Sequence, residues 1–377
     1  MRKGWEYKKL GEVCTIKAGY TPKKNELSDN GAYPYYKVAD MNTLGNDVYL
    51  DITSSYKIDA NKLFPKGAIV FPKNGAAVST NKKRILKYDS IVDLNTGVAI
   101  FPKSINEKFA YYWFIDTDFK KYVRGGALPT LDIKSLKDKP FPSIDKSTQF
   151  AIVSELDKIN ELIRLKKEQL KDFDNLALSL FYEMFGDPVE NEKGWEVETV
   201  QNSCTLKSGD SKANNSKVGT LPYIKVGDMN LPENENYINI STNYVDKETN
   251  IKRIFPIGTI IFPKRGGAIL TNKKRLTNVE ICCDLNIMGV TPGNMLNKYY
   301  LFQYFKILDL STICSGSTVL QLNNCDINPL RIPLPPLSLQ RLFAQRIEQI
   351  EREKSEVQKS IKDLETLLAS RMQYWFE

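Results

Sequence analysis

A chain of 377 residues, 42% hydrophobic and 26% charged, is too long for one ordinary domain and has the composition of a globular protein. It has no histidine, which removes the commonest general base and imidazole metal ligand, and its six cysteines form no C-x-x-C pair that would point to a zinc cluster. No apolar run approaches a secretory signal or a membrane span, so a cytoplasmic protein with reduced thiols and no membrane partner is expected.

The first segment, 1–145, breaks short β-branched and aromatic runs with Gly, Pro and Asn, as in Gly67-Ala68-Ile69-Val70-Phe71-Pro72. This pattern predicts a mixed α+β module with a substantial sheet, and a helix around 109–122 that packs on it. Cys14 reads as a small core residue, and Tyr35 and Tyr36 as packed strand tyrosines. A heptad seam follows at 152, 156, 159, 163, 166, 170, 173, 177, 180 and 184, interrupted by Lys166 alone, and it predicts a long helix over 146–186. Ser147 is its expected cap and Gly186-Asp187-Pro188 its stop; at 1.5 Å per residue it spans roughly 55 Å, a spacer rather than a core.

The pattern then begins again. Gly4-Trp5-Glu6 recurs as Gly194-Trp195-Glu196, and Cys14-Thr15 as Cys204-Thr205. Pro34-Tyr35 with Lys37-Val38 and Asp40-Met41-Asn42 returns as Pro222-Tyr223 with Lys225-Val226 and Asp228-Met229-Asn230. Segments 64–84 and 255–275 agree at 14 of 21 positions, where chance would give about one. A second module over 187–337 therefore has the fold of the first, with a short helix near 299–308, and a second long helix over 338–377 follows, with Ser338 as its expected cap. Its seam is broken by Lys354 and Arg371; with Lys166 these could face a partner protein or set the helix register, and they are read here as bending out to solvent along their aliphatic stems, while Tyr374-Trp375-Phe376 reads as a hydrophobic plug at the end of the coil.

Charge is unevenly placed. The segments 1–145, 146–186, 187–337 and 338–377 hold 24, 6, 16 and 7 basic residues against 16, 7, 15 and 7 acidic ones. Within the modules, 60–88 and 249–279 each contain seven basic residues and no acidic one, including Lys252 and Arg253 in the second. Such a stripe, on strands joined by Lys73-Asn74-Gly75 and Lys264-Arg265-Gly266, suits phosphate neutralisation by ammonium groups and base-edge contacts by Arg and Asn. The candidate nucleic-acid residues are Lys37, Lys73, Asn74, Asn81, Lys82, Lys83 and Arg84 in the first module, and Lys225, Lys264, Arg265, Asn272, Lys273, Lys274 and Arg275 in the second. Retention of Thr-Asn-Lys-Lys-Arg in both copies favours this reading over a merely solvated basic face. Substituting Lys82, Lys83 and Arg84 together is expected to flatten the salt slope of binding by about two to three.

Catalytic motifs are missing: there is no Walker-type phosphate loop, no G-x-G-x-x-G opening a helix, no nucleophile elbow and no Asn/Asp-Pro-Pro-aromatic segment. Asp40, Asp93, Asp228 and Asp284 recur, but an aspartate beside Asn or Gly is ordinarily a turn or cap residue.

Lys3-Gly4-Trp5, Ala18-Gly19-Tyr20-Thr21-Pro22, the Phe185-Gly186-Asp187-Pro188 break and the module–helix–module–helix plan together resemble the specificity subunit of a type I restriction-modification system, over essentially the whole chain. The second copy departs from the pattern, with Gly209-Asp210-Ser211-Lys212 where the first has Gly19-Tyr20-Thr21-Pro22. The resemblance implies a non-catalytic subunit in which two target recognition domains are held in pseudo-twofold relation by an antiparallel coiled coil. It implies double-stranded DNA as ligand, two methyltransferase subunits docked on the helices, and restriction and translocase subunits beyond them. S-adenosylmethionine, and ATP with Mg, would act on those partners, and this chain would hold no cofactor. Because the two basic turns are alike, the half-sites are expected to share bases as inverted repeats. Three other readings stay open: the equivalent subunit of a simpler two-component restriction–methylation enzyme, a scaffold that binds protein only, and a nuclease working through the recurring aspartates.

Overall fold

The computed structural model describes residues 2, 4–53, 55–57, 62–125, 129–210, 219–246, 254–316 and 319–376. The chain forms two compact units: Met1–Lys167 with Lys359–Glu377, and Glu168–Gln358.

In the first unit, strands β1 (Thr15–Ala18), β2 (Tyr49–Leu50), β3 (Ile69–Pro72), β4 (Arg84–Leu86) and β5 (Thr96–Ile100) form a five-stranded sheet among the described residues, in the order β1-β5-β3-β4-β2. All its pairs are antiparallel except β2 with β4. The run Ile-Val-Phe in β3 is buried on both faces because it divides two cores. Ile69 and Phe71 face helix α1 (Glu107–Asp116) with its Phe109, Trp113 and Phe114, whereas Val70 faces Tyr36, Met41 and Phe64. Each such side chain contributes about 1.5–3 kcal/mol on burial. The outer layer is a smaller sheet of Leu27–Ser28, Tyr56–Lys57, Tyr33–Tyr36 and Ile91–Val92. Tyr35, Tyr36 and Cys14 are core residues, as their positions in the repeat suggested.

Helix α1 is shorter than expected: it stops at Asp116 and a separate 3-10 turn, Phe119–Tyr122, follows. Helix α2 (Lys146–Phe185) is one continuous 40-residue helix. Its cap is Asp145 rather than Ser147; Asp145 accepts from Thr148 N at 2.9 Å and from the Ser147 and Thr148 hydroxyls.

The second unit repeats the design. Strands β6 (Cys204–Ser208), β7 (Tyr237–Ile238), β8 (Ile260–Pro263), β9 (Arg275–Thr277) and β10 (Ile287–Pro292) run β6-β10-β8-β9-β7, with α3 (Lys298–Ile307) on the face that carries Ile260 and Phe262. Tyr223 is buried, and Cys204 half-buried against the same core. Helix α4 (Leu337–Phe376) begins one residue before Ser338, which therefore lies inside it.

A fully buried glutamine fixes the root of each long helix. Gln149 accepts from Asn106 N at 2.7 Å and donates to Ile144 O at 3.0 Å; Gln340 accepts from Asn297 N at 2.8 Å and donates to Pro335 O at 2.8 Å. Asn106 and Asn297 are themselves the N-caps of α1 and α3, so helix and module share one hydrogen-bonded corner.

Both units also contain an antiparallel pair of long-helix segments. In the first, Glu155 receives Arg371 and the indole N–H of Trp375, and Lys167 meets Glu365 at 2.9 Å. Met372 and Phe376 enter the core, where Phe376 packs 5.6 Å from Phe109, and Trp375 stacks on Trp5. In the second, Phe181 and Phe185 pack on Tyr300 and Phe343, and Lys354, buried, meets Asp174 at 2.8 Å. The structure thereby corrects the expectation for Lys354 and Arg371: neither bends away to solvent, because each finds a carboxylate on the opposing helix. The aromatic tail is a plug, and what it seals is the first module's core.

Candidate nucleic-acid interface

Lys73, Lys82, Lys83 and Arg84 of the first basic stripe, and Lys264, Arg265, Lys273, Lys274 and Arg275 of the second, lie around one turn in each unit. After β3 the chain passes Lys73-Asn74, turns at Gly75 with φ 76°, makes the 3-10 turn Ala76–Thr80, and enters β4 through Asn81 in the left-handed conformation, φ 56°. A side chain at position 75 would be strained there, and Asn tolerates the left-handed region better than most residues. In the second unit Gly266 and Asn272 take the same conformations, with φ 74° and 49°.

The retained Thr-Asn-Lys-Lys-Arg segment turns out to be a lock. Asn81 Oδ1 accepts from Lys83 Nζ at 2.6 Å and from Phe119 N at 2.9 Å. Lys83 Nζ also donates to Thr117 O, the C-cap of α1, at 2.7 Å, and sits 4.1 Å from the centre of the Phe119 ring. Its partner in the second unit, Lys274, is likewise buried and donates to Asn272 Oδ1 at 2.6 Å and Leu308 O at 2.5 Å. Cations at helix C-termini are favoured by the orphan carbonyls and the dipole, yet desolvation pushes the Lys83 ammonium down to about 7 and that of Lys274 to about 8.

Arg84 donates to Asn46 O, to Lys83 O at 2.7 Å and to Met41 O at 2.9 Å; Arg275 donates to Lys274 O at 2.8 Å and Met229 O at 3.0 Å. Lys83 and Lys274 are buried and Asn81, Arg84, Asn272 and Arg275 half-buried, and their hydrogen bonds join the turn to the helix and to the neighbouring 3-10 turn, so this segment holds the fold as well as carrying charge; Arg275 Nε is buried without a hydrogen-bond partner. Substituting Lys82, Lys83 and Arg84 together would break this lock as well as remove charge.

Six of the remaining candidates are lysines and two project from the tip of the turn. Lys37 is exposed, 5.7 Å from the Tyr35 ring centre, and Lys225 is half-buried, 5.9 Å from that of Tyr223. Lys82 donates to Asn42 Oδ1 and Lys273 to Asn230 Oδ1, both pairs at the surface. Lys73 and Asn74 are half-buried, with the Asn74 amide 3.2 Å from Lys73 Nζ. Lys264 donates to Ser208 Oγ at 2.9 Å, and Arg265 is exposed. Beside Asn74 lies a shallow cavity of about 500 Å³, lined by Val38, Gly75, Ala76, Ala77, Asn95 and Thr130. Of the candidates Asn74 lines this depression, and Lys37 and Lys73 immediately precede the lining residues Val38 and Asn74 in the chain. Lys252, Arg253, Ser211 and Lys212 lie outside the described residues.

The recurring aspartates are structural. Asp40 accepts from Lys37 N at 2.6 Å, Asp228 from Lys225 N at 2.8 Å and Thr242 Oγ1 at 2.6 Å, Asp93 from Thr96 Oγ1 at 2.7 Å, and Asp284 from Asn286 N at 2.9 Å. Sequence reasoning missed Asn46 and Asn234, both fully buried. Asn46 donates to Asp40 O and Ile52 O at 2.8 Å each, and Asn234 to Asp228 O at 3.0 Å and Ile240 O at 2.9 Å. Their signal was available, since they stand at the same shift of 188 as the Asp40 and Asp228 motif.

Known proteins share this design. The family model described as the type I restriction modification DNA specificity domain matches residues 2–172 and again 192–366. The specificity subunit of the MjaIX type I restriction enzyme of Methanocaldococcus jannaschii is 24% identical, over 90% of this chain and 85% of its own length. Among solved structures, a chain from a study of complex assembly and conformational transition of a type I R-M system aligns with a TM-score of 0.64 at 17% identity, covering 100% of this chain and 98% of that one. The type I restriction-modification S subunit of M. genitalium aligns with a TM-score of 0.56 at 15% identity, with the same coverage. These two likenesses establish the fold.

Proposed function

The chain belongs to the type I restriction modification DNA specificity family, matched once over each repeat, and from that premise we propose how it reads DNA. Each module, 1–145 and 187–337, docks on one half of a split double-stranded target, and the helices over 146–186 and 338–377 carry the register to the methyltransferase and restriction subunits. Lys37, Lys73 and Lys82, with Lys225, Lys264 and Lys273, neutralise phosphates; Asn74 and Arg265 approach base edges. S-adenosylmethionine and ATP act on the partner subunits, and the cytoplasm, where the DNA lies, is the working compartment.

The observation that carries this reading is the sorting of one basic stripe into inward and outward halves in the same way twice. Lys83 and Lys274 are buried in the fold, whereas Lys73 and Lys82, with Lys264 and Lys273, keep part of their surface exposed at matching positions of both units, within reach of phosphate. In the complex with methyltransferase subunits, Lys37→Ala, Lys73→Ala and Lys82→Ala together are expected to flatten the dependence of log K on log salt by about two to three, since each phosphate contact contributes about 0.9. An unchanged slope with normal folding would remove these lysines from the interface.

A further inference from the structure

The two turns share a backbone frame and differ in the side chains it presents. In the first unit Lys73 N donates to Asn95 O, Gly75 N to Pro129 O and Leu131 N to Lys73 O, all at 2.8 Å, and Asn74 is bridged to Thr130. In the second, Lys264 N donates to Asn286 O at 2.8 Å, Gly266 N to Leu320 O at 2.8 Å and Leu322 N to Lys264 O at 2.9 Å, and Arg265 is bridged to Gln321. Position 74 is thus the counterpart of position 265, and 130 that of 321, inside matching hydrogen-bonded frames. The flanking cations are the same in both: Lys73 and Lys82 with Asn42, Lys264 and Lys273 with Asn230.

Equal phosphate contacts bring equivalent positions to equivalent places on the duplex, so the residue at the tip decides the base. A carboxamide pairs with the N6 and N7 edge of adenine, and a guanidinium with O6 and N7 of guanine. In the first unit the surroundings suit an approaching base edge, because Gly75, Ala76 and Ala77 present little bulk beside the 500 Å³ depression. The Asn74 amide donates to Asn95 Oδ1 at 3.4 Å, and a half-turn of the amide would instead let it donate to Lys73 O at 3.0 Å and accept from Lys73 Nζ at 3.2 Å, so either arrangement holds it at the rim of the depression.

We propose that Asn74 and Arg265 are equivalent specificity-determining residues with different readouts, so that the half-sites carry A·T and G·C respectively at the base pair that this position meets. The proposal rests on the DNA-specificity reading given above. It replaces the expectation of inverted-repeat half-sites at that base pair: the frame is duplicated, but the reader is not.

The test uses the full chain in complex with its methyltransferase subunits, with modified bases mapped by single-molecule sequencing of the host DNA. Asn74→Ala is expected to relax one A·T pair of one half-site, losing about ten- to hundredfold discrimination there. Asn74→Arg is expected to convert that pair to G·C, and Arg265→Asn to convert one G·C pair of the other half to A·T. A motif that Asn74→Ala leaves unchanged, alters at more than one pair or abolishes overturns the proposal, as does a changed pair that was not A·T in the wild type. If the wild-type complex itself gives no split motif, the functional reading fails instead.

Discussion

At the scale of single residues, the segment most faithfully repeated is the one whose charge was most misleading. Lys83 and Lys274 were legible as basic but not as buried, because composition carries no direction. Alternation held the missing signal: β4 begins at Arg84, and a period of two puts Lys83 on the face of Ile85, which points at α1. Burial has a measurable consequence. The Lys83 ammonium, lowered by desolvation from 10.5 to about 7, binds fewer protons folded than unfolded between those values. Stability contributed through Lys83 therefore rises as pH increases above about 7, by at most about 1.4 kcal/mol per pH unit. Chemical unfolding at pH 7.0, 7.8 and 8.5 is expected to show wild type gaining relative to Lys83→Met; parallel curves would mean that the ammonium keeps its proton.

At the scale of elements, both long helices are legible because a heptad is a local pattern, and they run Lys146–Phe185 and Leu337–Phe376, close to the expected 146–186 and 338–377. Their roots and seams were harder to read. The buried amides Gln149 and Gln340 contribute through long-range hydrogen bonds that leave no periodic trace. A cation in a seam has two outcomes, and the choice depends on what faces it: Lys354 meets Asp174, 180 residues away, with its side chain only 6% exposed. Lys354→Ala removes the cation paired with Asp174 and Glu351, leaving Lys306 as the other positive charge near them, and is expected to destabilise by about 2 kcal/mol, below the full loss for a buried pair because Asp174 is half-exposed. Asp174→Asn is expected to cost less. Equal midpoints of denaturant unfolding for Lys354→Ala and wild type would show that the pair contributes nothing net. The sheets, by contrast, consist of strands of two to six residues whose pairing order is non-sequential, such as β1-β5-β3-β4-β2; period-two runs identify such strands without saying which neighbours they choose.

At the scale of the whole molecule, duplication was the most legible feature, since 14 of 21 identical positions between 64–84 and 255–275 require one fold for both modules while leaving the residue at the tip of the turn free to differ. Each compact unit holds one module, the beginning of its own long helix and the end of the other, so neither module is completed by its own segment alone. The chain is therefore one specificity subunit with two modules rather than two separable proteins. Co-expression with its methyltransferase subunits, followed by mapping of modified bases across the host DNA, tests this most directly. A split motif with two defined halves, absent when this chain is omitted, is the predicted result; the same modification without the chain, or none from a soluble complex that contains it, would contradict the account.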